Sequence, residues 1–217
     1  MMPGVGPPII SGVMSSGLMS SFLGHSLAAY SLFSLDRRER SSTLWRALWL
    51  GWLVVLASAP DIDYVIPSLA SPAHQGRRIT HSIALSMALP LFSVGVLYFV
   101  KGLKSRRRLL SVCAVLAGLS HLVLDFLVGV TPLPLLWPLD SAAFASPVGI
   151  LPSAGRIQLS NYYLYRNVLI EVGVLAPVCY VARGLYLGEI STRDRARVLI
   201  LLLVAGCFVA WSVTLSR

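Results

Sequence analysis

The feature that most restricts this chain is a series of long apolar runs, separated by short segments into which nearly all of the charge is gathered. Leu48 to Ala57 reads LWLGWLVVLA, and Val198 to Val213 carries no charged residue at all. A water-soluble core does not need runs of that length, whereas a hydrocarbon layer about 30 Å thick takes about 20 apolar residues per helix. Six segments qualify, near 12–35, 44–58, 81–100, 109–130, 167–187 and 197–214. The pattern predicts an all-α, polytopic membrane bundle of about six helices, with residues 1–217 forming one integral membrane domain. The first segment is the least regular. Gly12, Gly17 and the pairs Ser15-Ser16 and Ser20-Ser21 either break it or let it pack closely on a neighbour, and residues 1–20 also suit a loop or re-entrant piece. Composition agrees: 56% of residues are hydrophobic and 12% charged, against about 25% charged in soluble domains.

The charge predicts an orientation. Arg37, Arg38, Arg40 and Arg46 lie in one loop, Lys101, Lys104 and Arg106 to Arg108 in a second, and Arg183, Arg193, Arg195 and Arg197 in a third. These thirteen of the 18 basic residues fall on one side, and only Arg77, Arg78, Arg156, Arg166 and Arg217 on the other. By the positive-inside rule the poorer side faces the periplasm or extracellular space. The net charge of +9 is thus read as a topology signal with contact to anionic lipid, and no nucleic-acid partner is expected. Cys113, Cys179 and Cys207 stand singly in apolar segments, which indicates neither a disulfide framework nor a thiolate metal site. Between 131 and 166, five prolines and the aromatics Trp137, Tyr162, Tyr163 and Tyr165 predict an interfacial lid.

Against this apolar background the stretch Ala59 to Ser82, APDIDYVIPSLASPAHQGRRITHS, stands apart. Pro60 follows an apolar run, so a helix is expected to end there and bring Asp61 and Asp63 to its mouth. Thr80 is expected to cap the next helix, with His81 in its first turn. Four further ionisable residues sit within apolar segments or near their ends: His25, His121, Asp125 and Glu171. Such groups are costly in a bilayer and mark functional sites. His121 and Asp125, four apart, share one helix face. Counting about 1.5 Å per residue from the basic side puts His25, His121 and Glu171 roughly 16 to 20 Å deep, and Asp125 and Asp61 deeper still. All four histidines and five of the nine acidic residues therefore belong to the half away from the basic loops. Imidazoles and carboxylates converging on one mouth suit a divalent ion such as zinc or manganese. A lone membrane histidine such as His25 is also a common hydrogen-bonded packing residue, and Glu171 is placed to pair with Arg166.

The ordered set His25, Pro60-Asp61-Ile62-Asp63, Arg78-Ile79-Thr80-His81-Ser82, Ser120-His121-Leu122-Val123-Leu124-Asp125 and Trp137-Pro138-Leu139 resembles the YdjM family of membrane-bound, metal-dependent hydrolases. The resemblance spans most of the chain. It implies a distant relation to the all-helical zinc phospholipase C and P1 nuclease group, with several zinc ions acting on phosphoesters. Carried over by position, it implies His25, Asp61, His81, His121 and Asp125 as ligands, and Asp63 as a ligand or an orienting residue. Family members show His-Arg-x-x-Thr-His. Here the position five before His81 is Gly76, so either the loop bulges to return His74 to the site or one ligand is lost.

The expectation is a plasma-membrane hydrolase with one to three divalent ions, zinc first among them, in a cavity that opens outward. Its substrate class would be a lipid or lipid-linked phosphoester. Whichever of Asp61, Asp63 and Asp125 is not directly ligated is a candidate base, and Arg77 and Arg78 are candidate clamps for the anionic head group. Two alternatives use the same residues: a metal or proton transporter, and a non-catalytic scaffold with a structural metal. The chain shows no internal repeat of the kind transporters are built from.

Overall fold

The computed structural model describes residues 22–37, 42–64, 66, 78–129, 132–147, 149–152 and 160–215. Among them are six helices and no strand: α1 (Phe22–Phe33), α2 (Thr43–Ser58), α3 (Ile83–Phe99), α4 (Arg107–Val128), α5 (Tyr162–Tyr186) and α6 (Arg195–Thr214). Four stretches are long and apolar enough to cross a membrane: Thr43–Asp63, Arg107–Val128, Tyr162–Tyr186 and Thr192–Thr214. The apolar α3 has 17 residues, and α1 has 12 within the described part. The glycines and serines expected to interrupt the first segment lie at 12–21, outside the described residues.

Helix starts are set by short polar side chains. The Ser42 hydroxyl accepts the Trp45 N–H, and the Asn161 side-chain oxygen, Oδ1, accepts the Tyr163 N–H. That second cap starts α5 at Tyr162, ahead of the boundary at 167 expected from hydropathy, because the tyrosines there are helical though amphipathic. Thr80 was expected to cap the third helix, but Ser82 does so, its hydroxyl accepting the Leu85 N–H. Thr80 and His81 lie in a separate 3-10 turn, Ile79–His81, which releases the Thr80 side chain for other partners.

At the centre α1 packs on α2, α4 and α5, while α4 also meets α2 and α3, and α6 lies against α5. Leu53, Leu56, Ala57, Leu110, Ala114 and Ala117 are fully buried where α2 and α4 meet α1. Small residues permit the closest approaches. A methyl group on Gly118 would overlap Pro90 and Met87 of α3, and one on Gly24 would overlap the Glu171 carboxylate of α5. The outer faces remain apolar, with Leu199, Ile200 and Leu203 of α6 and Phe92 and Phe99 of α3 all more than half exposed. In a membrane these faces meet lipid rather than water.

The three basic loops gather at one end. Arg106 pairs with Asp36, Arg37 donates to Glu189 at 2.8 Å and to the Leu187 carbonyl at 2.9 Å, and Arg183 meets Glu189 at 2.5 Å. At the other end, the segment after α4 folds back over the bundle. Leu133 and Phe144 exchange backbone hydrogen bonds of 2.7 and 2.8 Å, Ile150 donates to the Leu127 carbonyl, and the Leu135 carbonyl accepts the Ile83 N–H beside Ser82. Leu133 and Leu151 of this segment are buried. The described part of the segment expected to form a lid is thus attached where α3 begins and α4 ends.

Candidate metal centre

Pro60 has no N–H to offer the Leu56 carbonyl, and beyond Ser58 the chain tightens into a 3-10 turn, Ala59–Tyr64. That turn carries Asp61 and Asp63 to the end of the bundle opposite the basic loops. The Ile79–His81 turn brings His81 beside them, α4 supplies His121 and Asp125, and α1 supplies His25. All three histidines are fully buried.

One oxygen or nitrogen from each of Asp61, His81, His121 and Asp125 lies within 4.8 Å of the others, so these four could hold a metal ion. His81 Nε2 is 3.2 Å from His121 Nε2 and 3.1 Å from Asp125 Oδ2, and His121 Nε2 is 3.3 Å from that same oxygen. Asp61 Oδ1 lies 3.6 Å from His81 Nε2 and 3.8 Å from His121 Nε2. His25 stands next to this group. Its ring stacks on His121 at 4.2 Å, and its Nε2 is 3.9 Å from both Asp61 Oδ2 and Asp125 Oδ1, the carboxylate oxygens not engaged by the other two histidines.

The outer hydrogen bonds determine which histidine nitrogens face inward. His121 Nδ1 lies 2.7 Å from the Ala57 carbonyl, which can only accept, so this nitrogen carries the proton. The Thr80 hydroxyl donates to Asp63 Oδ2 at 3.1 Å and therefore accepts from His81 Nδ1 at 3.0 Å. With Nδ1 engaged outward, both rings turn Nε2 toward the carboxylates, and in the neutral ring that is the nitrogen free to serve as a ligand. Asp63 is held by Arg78, whose Nε and Nη2 donate to its two oxygens at 2.8 and 2.9 Å, while Nη2 also reaches Asp61 Oδ1 at 3.1 Å. The Asp63 side chain is only 2% exposed, whereas those of Arg78 and Asp61 are 16% and 15% exposed. That flank is the more accessible side of the group.

Of the residues singled out from sequence, His25, Asp61, Asp63, Arg78, His81, His121 and Asp125 come together. Asp63 joins through Thr80 and Arg78 and is not one of the four clustered donors. His74, Gly76 and Arg77 lie outside the described residues. Glu171 is buried on α5 against Gly24, one residue before His25, while Arg166 donates to Asn167 at 3.0 Å and lies over the Tyr163 ring. Sequence reading missed two contributors, the Thr80 hydroxyl as an orienting group and the Ala57 carbonyl. A backbone acceptor leaves no signature in side-chain identity. Thr80, directly before His81, was legible only as a cap.

No curated protein and no solved structure matches the chain. The profile of the YdjM inner membrane protein family matches residues 19–216, which include every residue of the site. The chain is an integral membrane protein with a buried Asp-His-His-Asp group, and it belongs to the YdjM inner membrane protein family.

Proposed function

We propose that this protein is a membrane-embedded, zinc-dependent hydrolase that cleaves a phosphoester of a lipid or lipid-linked substrate. The observation that carries the reading is the pair of inward-facing Nε2 atoms 3.2 Å apart, with carboxylate oxygens around them; in the neutral rings both carry lone pairs. Lone pairs so placed repel unless a cation sits among them. A proton relieves one such pair, whereas a divalent ion relieves all four donors at once. Tetrahedral zinc, with bonds to nitrogen of about 2.0–2.1 Å, implies donor separations of about 3.3 Å. The triangle formed by His81, His121 and Asp125, with sides of 3.1 to 3.3 Å, has that size. His25 with the far oxygens of Asp61 and Asp125 makes a second position, so this reading counts two ions.

When bound, the ions supply Lewis acidity and activate water at neutral pH. The chain's own residues do the rest. Ala57 and Thr80 hold the histidine tautomers, and Asp63 fixes Thr80 and Arg78. Arg78 keeps Asp61 in place and puts positive charge on the exposed flank, where an anionic phosphoester would arrive. Arg77 as a second clamp and His74 as a further ligand are part of this proposal. The three basic loops share the opposite end, so the positive-inside rule turns the mouth toward the periplasm or extracellular space. A phosphoester carried by a lipid of the outer leaflet reaches that depth by lateral diffusion.

The test is metal analysis of the purified protein, followed by a screen of lipid phosphoesters with and without chelator. Zinc near two equivalents and chelator-sensitive release of a phosphorylated head group are expected. Metal-free protein would overturn the metal centre, and a metal-loaded protein inactive on every phosphoester would overturn the hydrolase. Cysteines at Ser71 and Ser105 test the orientation: the first should label from outside and the second should not. His74→Ala, compared with His81→Ala, should lower bound metal in the same direction, and wild-type metal content would remove His74 from the site.

A further inference from the structure

Between α2 and α3, away from the metal centre, lies a groove of about 450 Å³. Its walls include Trp45, Trp49 and Trp52 on one face of α2, Phe92 and Val96 of α3, and Leu103 beyond it. The lining is almost wholly apolar. Ser93 is engaged within the wall, accepting the Trp52 indole N–H at 3.1 Å and donating to the Leu89 carbonyl at 2.8 Å. Trp52, the lining residue of α2 closest in sequence to the site, is nine positions before Asp61, roughly 13 Å along a helix axis. The groove thus belongs to the basic end of the bundle.

We propose that this groove binds one acyl chain of an anionic phospholipid from the leaflet at the basic face. Three observations select that occupant. The groove opens sideways to the hydrocarbon, since Trp52, Phe92 and Val96 are 37%, 67% and 45% exposed. Its volume suits a thin, flexible chain but not a helix of a second copy, which is about 10–12 Å across with its side chains. Its basic-end margin carries positive charge: Lys101 and Lys104 are exposed and directly follow the lining residues Val100 and Leu103 in the chain. Basic groups around a crevice between membrane helices are the usual recognition chemistry for anionic head groups. The bound lipid lies between α2, which leads into the turn that carries Asp61, and α3, which follows the His81 turn. The inference does not depend on the hydrolase reading.

Three of the five tryptophans line the groove, so their fluorescence reports its occupancy. The full-length protein is titrated in mixed micelles with phosphatidylglycerol or phosphatidylcholine brominated on the acyl chains. Stronger quenching by the brominated phosphatidylglycerol is expected, reversed by the unlabelled lipid. In Lys101→Gln/Lys104→Gln, two exposed positions whose replacement leaves the core untouched, the phosphatidylglycerol midpoint should move about threefold or more to higher lipid fraction. Val96→Phe, which fills the groove, should lower the maximal quenching while bound metal stays unchanged. Equal quenching by the two lipids, or an unchanged anionic preference in the double variant, would overturn the proposal. So would a Val96→Phe protein that quenches normally but changes its oligomeric state, since that result would assign the groove to a second copy.

Discussion

The two ends of the bundle both hold charged side chains, but they hold them differently. At the basic end Arg37 and Glu189 meet at 2.8 Å with side chains 51% and 41% exposed, and each has water as an alternative partner. At the other end, three histidines, three carboxylates and Arg78 are packed so that the histidines are fully buried and Asp63 is 2% exposed. Exposed pairs contribute little because water competes and salt screens them. Buried charges have no such alternative, so each group depends on every other one being present. The exposed Arg37–Glu189 pair is therefore expected to tolerate change, and the opposite end is a cooperative unit that does not. Among the ion pairs described at the basic end, Arg106–Asp36, with side chains 12% and 10% exposed, is the one that falls on the buried side of the contrast.

The sharpest way to break this contrast is to remove a donor. His121→Ala and Asp125→Ala are each expected to abolish bound metal, read by elemental analysis of protein purified under identical conditions; full occupancy in either would dissolve the assigned centre. Next comes Arg78→Ala, which leaves Asp61 and Asp63 without their guanidinium. A loss of about 3 kcal/mol or more is expected, seen as a lower Tm in detergent. Thr80→Val keeps every donor but frees the His81 tautomer, so metal affinity should fall about 10- to 100-fold in a competition titration while the fold persists. The smallest effect is expected from Arg37→Ala, below about 1 kcal/mol by the same thermal measurement. A drop comparable to that of Arg78→Ala would show that the basic end is also a cooperative unit.

Much of the site was legible because of where its residues could not otherwise be. His25, His121 and Asp125 are unfavourable in apolar segments, and the Pro60 break announced where Asp61 and Asp63 would emerge. The i, i+4 relation of His121 to Asp125 follows from helix geometry alone, and in the structure the two side chains meet at 3.3 Å. Less legible was the division of labour among the acids. The residues alone do not separate Asp61 from Asp63, and the family resemblance left Asp63 as a ligand or an orienting residue; in the structure Asp61 offers an oxygen to the four-donor group while Asp63 is engaged by Arg78 and Thr80. The cap of α3 was misplaced for a related reason: Thr80 and Ser82 are equally good caps by type, and only the demand of Asp63 and His81 for the Thr80 hydroxyl separates them.

The sequence by itself determined that the chain is a helical membrane protein, which face of each polar helix segment matters, and that its basic loops lie together. These follow from hydropathy, helical period and charge, which are properties of single segments. The tertiary structure decided which nitrogen of each histidine faces inward, which carboxylate oxygens are shared and which acid is held back. Those outcomes rest on contacts between residues as distant as Ala57 and His121 or Asp63 and Thr80, in which one proton on a shared hydroxyl or ring nitrogen fixes the role of the next group. Such directional, pairwise chemistry exists only once the helices have packed.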